Sequence, residues 1–334
     1  MNNDKIDFVI TWVDGSDKKW INERLKYSNE RKDDESSSII RYRDWGLLKY
    51  WFRGVEKYAN WVNKIYFVTC GQVPDWLNVE NEKIVLVNHS DYIPKKYLPT
   101  FNSNVIELFF NRIPNLSNKF VYFNDDVLIF NQLSPTDFFL GNVVRDRLIF
   151  NSISVNSKNS IIEHTILNNL ELLSKYFTKQ EVEKNNKGKI YTIRNGKKVI
   201  KSFLMKPWKN FTGIENAHTA MPYIKSTWDK VWHNEEKQLL TTANNKFRTK
   251  YDYNHWIFKY WQMFEGNFAL TNYDTQKYYD LCNDNSAFFS QLKDKKIKIA
   301  CINDSDDNID FQKVKYDLNF TLQSIYPEKS SFEK

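Results

Sequence analysis

Residues 124–126 read Asn-Asp-Asp directly after the apolar run Lys119-Phe-Val-Tyr-Phe123. Two carboxylates, Asp125 and Asp126, at a strand end can hold Mg²⁺ or Mn²⁺, hard cations that prefer oxygen ligands. Such an ion would bridge diphosphate oxygens and offset charge as a phosphate leaves. The same three residues also read as a solvated β-turn, since Asn and Asp are common turn formers. Repetition favours the chemical reading. Asp14-Gly15-Ser16-Asp17 follows the apolar run Ile6–Val13, and Asn303-Asp304 follows Lys296–Ile302. Three apolar runs therefore end in Asp-bearing turns.

Arg41-Tyr42-Arg43-Asp44 opens a long aromatic segment. Arginines near a helix N-terminus oppose the macrodipole, so helix stability does not explain them. Phosphate binding does, because the guanidinium fork matches phosphate oxygens. A surface salt bridge to Asp44 or Glu56 is the competing account. His218 stands just before Pro222, where a neutral imidazole can take a proton from a hydroxyl; a plain structural histidine is the alternative. His255 is expected in mid-helix among aromatics. Arg248 precedes the last aromatic helix and can neutralise developing phosphate charge.

The elements that must position these residues follow from periodicity. Strands are expected at Ile6–Val13, Lys64–Cys70, Lys83–Asn88, Lys119–Phe123, Val127–Phe130 and Lys296–Ile302. Trp45, Leu48, Phe52, Val55 and Tyr58 recur at helical spacing. Asn102 or Ser103 can cap a helix through Val105, Leu108, Phe109 and Ile113. Strands alternating with helices imply an α/β fold with a mainly parallel sheet and flanking helices. Ligands bind such sheets at the carboxyl ends of the strands, where Asp14 and the Asp125-Asp126 pair fall. Residues 151–210 differ and read as a helical and hairpin insertion. Thr178-x-x-Glu181 is a capping box, and Asn195-Gly196 centres a hairpin. Pro222 suits the first turn of a helix, and Asp252 the cap of a helix over Tyr253–Phe264. The expected division is 1–150 and 211–328 for the two parts of the core, 151–210 for the insertion, and 329–334 for a frayed tail.

Composition narrows the classes. The chain has 334 residues, 41% apolar and 27% charged, enough for a sizeable core. Its nine glycines form neither G-x-G-x-x-G nor a P-loop, so dinucleotide and P-loop readings have no support. Cys70, Cys282 and Cys301 are neither a disulfide framework nor a zinc site. Cys70 and Cys301 end apolar runs and are expected to act as small hydrophobes in a reducing cytosol. Neither a signal peptide nor a membrane span is read, so a cytoplasmic protein is expected. The net charge of +7 suits solubility, or attraction to nucleotides, phosphorylated acceptors or acidic membrane surfaces. Aromatics reach 16%, with eleven Trp, which can fill a core or stack on sugars.

Taken together, these segments resemble the Stealth family of sugar-1-phosphate transferases. The resemblance lies in Asp7–Asp17 (DFVITWVDGSD), Arg41–Thr69, Phe101–Leu128, His218–Ser226 with Phe247-Arg248, and Cys301–Ser305 (CINDS). It implies transfer of a hexose-1-phosphate or N-acetylhexosamine-1-phosphate from a nucleotide sugar to a sugar hydroxyl, in capsular or cell-surface polysaccharide synthesis. It implies a core similar to metal-dependent glycosyltransferases of the A type. By motif, Asp14 and Asp17 would help form the donor pocket, and Arg41 and Arg43 would hold donor phosphates. Asp125 and Asp126 would serve the metal and the reacting centre, with Asn303 and Asp304 completing the metal site. His218 would be the general base and Arg248 would stabilise the transferred phosphoryl group. Acceptor choice is placed in 151–210 and the aromatic helices. A lipid-linked or polymeric saccharide acceptor is implied, with peripheral contact at the inner membrane face and no nucleic-acid partner. Two other readings compete: a metal-dependent glycosyltransferase moving the sugar alone, and a carbohydrate-binding protein without catalysis.

Overall fold

A computed structural model describes residues 5–28, 43–154, 161–271, 275–293, 296–304 and 309–334. The central sheet has the order β3-β2-β1-β4-β8. Its strands are β1 (Ile6–Thr11), β2 (Ile65–Thr69), β3 (Ile84–Asn88), β4 (Lys119–Phe123) and β8 (Met221–Ile224). β3, β2, β1 and β4 run parallel, and β8 closes the edge antiparallel to β4. This is the α/β, mainly parallel arrangement expected from the alternation of elements. Every residue of β2 and β4 is buried, which is why these strands read as unbroken apolar runs.

One carboxylate inside the sheet sets its register. Asp7 of β1 is buried and accepts from Asn63 Nδ2 at 2.6 Å, Lys64 N at 3.1 Å and Ser117 N at 2.8 Å. It pins the segments that enter β2 and β4 beside β1. A buried carboxylate left unpaired would be costly, so the three donors belong to one unit.

After β4 the chain turns at 124–126 and enters a second sheet of order β10-β11-β5. These are β5 (Val127–Ile129), β10 (Gln276–Asp280) and β11 (Ile299–Asn303). A third sheet joins β6 (Phe139–Leu140), β7 (Val143–Asp146) and β9 (Phe268–Leu270). The helix Leu48–Tyr58 packs against β5, and Gly54 permits the approach: a Cβ there would meet Ile129 O at 2.8 Å. Most tryptophans fill this core, so the aromatic surplus is structural, with Trp208 the exception at 54% exposed.

Four local expectations are corrected. Pro222 lies in β8 opposite Val121, and the helix starts at Lys225. An edge strand tolerates a residue without an N–H, so proline fits there. Asn195-Gly196 turns no hairpin but lies in a 3₁₀ segment, Ile193–Lys198, with Gly196 at φ +58°. The Asn195 amide donates to Lys189 O at 2.9 Å and Ile190 O at 2.8 Å, closing the helix Lys179–Ile190. Asn and Gly favour helix C-termini as well as hairpins, and the last carbonyls of this helix needed a donor. Asp252 does not cap the helix, which spans Trp256–Phe264. Its buried carboxylate instead accepts from Asn102 Nδ2 at 2.8 Å, Asn245 Nδ2 at 2.7 Å and Asn104 Nδ2 at 3.2 Å. Cys70, unlike Cys301, is exposed.

The tail is not frayed. Phe332 is buried, Glu333 bridges Leu77, and Glu333 pairs bidentately with Arg53 at 2.8 Å on both arms. Removing one partner of a buried ion pair strands the other. Glu333→Ala is therefore expected to lower unfolding stability by about 3 kcal/mol in urea titrations. A loss under about 1 kcal/mol would mean that the tail contributes no more than a surface ion pair.

Candidate active site

The carboxyl ends of β2, β1 and β4 lie side by side, since Thr11 pairs with Val68 and Ile10 with Phe123. The turns after β1 and β4 therefore share one rim. The second sheet completes the turn after β4: Ile302 N donates to Asp126 O at 2.8 Å. Asp126 thus stands where two sheets meet. Its Oδ2 accepts from Cys301 Sγ at 3.3 Å and faces His218 Nε2 at 3.6 Å. Its Oδ1 is buried without a hydrogen-bond partner among the described residues. Asn124 Nδ2 lies 2.9 Å from the same His218 Nε2. The sequence marked Asn124 only as part of the turn; the structure makes it the residue that orients the imidazole.

Charge is arranged unevenly along this turn. Burial opposes a charged His218, but the hydrogen bond and charge of Asp126, with Glu107 behind, outweigh it and raise the pKa. The protein crowded around Asp125 and then the neighbouring Asp126 push Asp125 up to about 7. Asp125 nevertheless keeps its side chain open to water, which argues for a smaller rise than a sealed pocket would give. Burial and Asp126 raise the Cys301 thiol far above its ordinary range, so it stays protonated and donates.

Beneath the rim lies Glu107, which the sequence reading passed over. It is 5% exposed and accepts from Tyr122 OH at 3.0 Å, and Tyr122 OH is 3.1 Å from Thr11 Oγ1. His255 Nε2 lies 3.5 Å from the other Glu107 oxygen, and His255 Nδ1 is 2.5 Å from Tyr223 OH. Burial drives His255 well below its ordinary pKa, so it is neutral. A proton on Nε2 satisfies both contacts, with Nδ1 accepting from Tyr223. His255 sits at the N-cap of its helix, not in its middle. A sequence signal for Glu107 existed. Asn104, Glu107 and Leu108 share the buried stripe of the helix Ser103–Leu108. A carboxylate on an apolar stripe needs partners.

The other expected residues are placed as follows. Arg248 Nε donates to Ser103 Oγ at 2.9 Å, and its charge is felt by both Glu107 and His218. Asp252 fastens the 245–252 segment to Asn102 and so brings Arg248 to this helix. Asp14 and Asp17 are joined by Gln72, another residue the sequence did not single out. Gln72 Oε1 accepts from Asp14 N at 2.8 Å, while its Nε2 donates to Asp14 O at 3.1 Å and Asp17 Oδ2 at 3.0 Å. The Gln72 bond, and next the Lys19 backbone N–H, lower the Asp17 pKa. Asp304 accepts from Trp45 Nε1 at 3.1 Å and faces Arg43 at 3.6 Å, which ties the last strand to the arginine segment. Asn303 donates to Asp280 Oδ1 at 2.7 Å, and Tyr278 OH donates to the same oxygen at 2.8 Å. The Tyr278 ring lies 6.0 Å from that of His218. Arg41 lies outside the described residues.

This arrangement can hold a cation on carboxylate oxygens, accept a proton on an imidazole and place a guanidinium nearby. Asp126, His218 and Cys301 also form a set of potential ligand atoms lying within 4.8 Å of one another.

Burial raises Glu107 from its ordinary 4.5 to about 7, with Arg248, Tyr122 and His218 pulling it back. The folded state therefore holds the proton more tightly. The associated stability is complete below about pH 4.5 and is lost as pH rises through about 7. Its upper bound is roughly 3 kcal/mol. Glu107→Gln should flatten this slope in urea unfolding across that window. An unchanged slope in the variant would assign the titration to another group.

Comparisons with known proteins give the family. Conserved region 1 of Stealth proteins (CR1) matches residues 4–32, and conserved region 2 (CR2) matches residues 41–147. The chain is 42% identical to a capsular polysaccharide phosphotransferase, WcwK, of Streptococcus pneumoniae, covering 100% of this chain and 99% of the relative. It is 38% identical to the receptor polysaccharide phosphotransferase WefC of Streptococcus oralis, over 98% and 99% of the two chains. It is 35% identical to the exopolysaccharide phosphotransferase cps2G of Lactiplantibacillus plantarum, over 98% and 96%. Among solved structures, the galactosyltransferase LgtC in complex with donor and acceptor sugar analogs superposes with a TM-score of 0.43 at 10% identity, covering 97% and 96%. That superposition is too loose to refine the fold beyond its α/β class. Identity sustained over the whole length, together with both matching regions, shows that the chain belongs to the Stealth family of polysaccharide phosphotransferases.

Proposed function

We propose that this protein transfers a hexose-1-phosphate or N-acetylhexosamine-1-phosphate from a nucleotide sugar to a sugar hydroxyl, building phosphodiester links in a capsular or other cell-surface polysaccharide. The observation that carries this reading is the contact of Asn124 and Asp126 with His218. It assembles an acid–base pair from two distant segments, in a chain that resembles polysaccharide phosphotransferases throughout.

In this reading the acceptor oxygen forms a bond to the sugar-bearing phosphorus, and the P–O bond to the departing nucleoside monophosphate breaks. His218 takes the hydroxyl proton, and Asp126 stabilises the imidazolium. Arg248 neutralises charge on the transferred phosphoryl group. Arg43 and Arg41 hold the donor phosphates, and Asp14 and Asp17, locked by Gln72, shape the donor pocket. A glycosyltransferase-A-like donor site is the matching description of this rim.

A divalent cation fits the same place. The buried Asp126 Oδ1 has no hydrogen-bond partner among the described residues, and Asp125 is adjacent. The carboxylate oxygens of Asp125 and Asp126 are hard donors, which suits Mg²⁺ or Mn²⁺. Bound on Asp125 and Asp126, with Asn303 and Asp304 next along the rim, the cation would offset the diphosphate charge. The acceptor is a lipid-linked or polymeric saccharide, presented by the 151–210 insertion at the inner membrane face.

Incubation with a nucleotide sugar, an acceptor saccharide and Mg²⁺ should release UMP, CMP or GMP and give a phosphodiester signal by phosphorus NMR. Release of the nucleoside diphosphate instead would assign transfer of the sugar alone. His218→Ala should lower kcat about 10²–10⁴-fold, the usual range for a general base, while calorimetric donor affinity survives. An unaltered kcat would remove His218 from the proton transfer. Asp126→Asn should abolish turnover at every Mg²⁺ concentration; retained turnover would overturn its role at the reacting centre.

A further inference from the structure

Residues 184–209 contain nine Lys or Arg and no Asp or Glu. Within this stretch the short helix Val199–Met205 turns Ser202 inward, where its Oγ accepts from Phe150 N at 3.0 Å. The opposite side is apolar and open to water. Ile200, Phe203 and Leu204, at positions i, i+3 and i+4, are each more than half exposed. Trp208 follows them, and Ile193, 93% exposed, stands on the preceding turn. Trp208 is the one exposed tryptophan of eleven. Large apolar side chains gathered in water mark a contact surface.

The surrounding charge says which kind. Glu215 engages Lys198 and Lys201, steadying the helix. Arg194, Lys197, Lys206 and Lys209 flank the apolar residues. Ile, Phe and Leu on one face of a short helix, with Trp208 just beyond its end and four further cations flanking them, match the headgroup boundary of an anionic bilayer. Among the described residues, no helix is long and apolar enough to cross a membrane, so contact through these residues would be peripheral.

We propose that residues 193–209 form a docking surface for an anionic lipid bilayer. The apolar side chains enter the headgroup region, and the flanking cations meet lipid phosphates. From Trp208 the chain runs through the Phe150–Ile214 bridge and the Asn216–Tyr260 hydrogen bond (2.6 Å) to His218. Docking would therefore bring the reacting imidazole toward an acceptor carried on lipid, a consequence that rests on the proposed function. The docking itself does not.

The test is cosedimentation of the full chain, without donor or acceptor, with phosphatidylglycerol–phosphatidylcholine vesicles and with pure phosphatidylcholine vesicles. Binding is expected to the anionic vesicles alone and to weaken as salt screens the surface. Leu204→Ser with Trp208→Ser should weaken it roughly tenfold through lost apolar contact, with the thermal midpoint unchanged. Lys206→Glu with Lys209→Glu should weaken it similarly while the apolar residues remain. Equal sedimentation with both vesicle types, or wild-type binding by both variants, would overturn the proposal. So would a concentration-dependent dimer in ultracentrifugation that the Leu204/Trp208 variant abolishes, because the occupant would then be a second copy. Since no turnover is measured, loss of binding and failure of the transfer chemistry are read separately.

Discussion

The turn Asn124–Asp126 is the point where the chain leaves one sheet and enters another, and the site depends on that transfer. β4 is held by β1 on one side and β8 on the other, while β5 is held by β11. The backbone between them has no freedom to relax without breaking pairing in a sheet. The Ile302 N–H to Asp126 O bond fixes the last residue of the turn from the far side. One oxygen of Asp126 has no hydrogen-bond partner among the described residues, which leaves it open to a ligand.

A second layer of polar contacts positions the segments that the sheets do not. Gln72 locks the Asp14–Asp17 turn to the end of β2. Asp252 gathers Asn102, Asn104 and Asn245, which brings Arg248 beside the Glu107 helix. Glu107 links Tyr122 of β4 to His255 of the last aromatic helix. Asp252 and Glu107 are buried and Gln72 half-buried, and each has several partners. Losing one partner would strand the others in a low-dielectric setting, so these groups act as units. The result is a rim whose charged groups are positioned by several protein neighbours, the kind of preorganisation that phosphoryl transfer uses.

The site shows where local reading succeeds and fails. Asp126 and His218 could be singled out by residue type, and the structure brings the two side chains together. Glu107 and Gln72 were missed because each sits in a segment whose pattern is explained by helix or loop. Cys301 read as a small hydrophobe and is indeed buried, but its thiol donates to the central carboxylate. Pro222 and Asn195-Gly196 have two legitimate uses each, and only the neighbouring strand and the open helix end selected between them. The tail looked frayed because a short polar end has no internal reason to order; Arg53, 280 positions away, supplies it.

By itself the sequence determined β1 to β5 and β11, the α/β class and the residue types able to handle phosphate and a proton. These depend on periodicity and on intrinsic acidity, which are properties of short stretches. The tertiary structure decided which oxygen of Asp126 is satisfied and which is open, which carboxylate lies beneath the rim, and that the expected hairpin is a helical turn. It also decided that Ile193, Ile200, Phe203, Leu204 and Trp208 are left exposed. Each of these turns on a partner that pairing and packing bring from elsewhere in the chain, and periodicity carries no record of that partner.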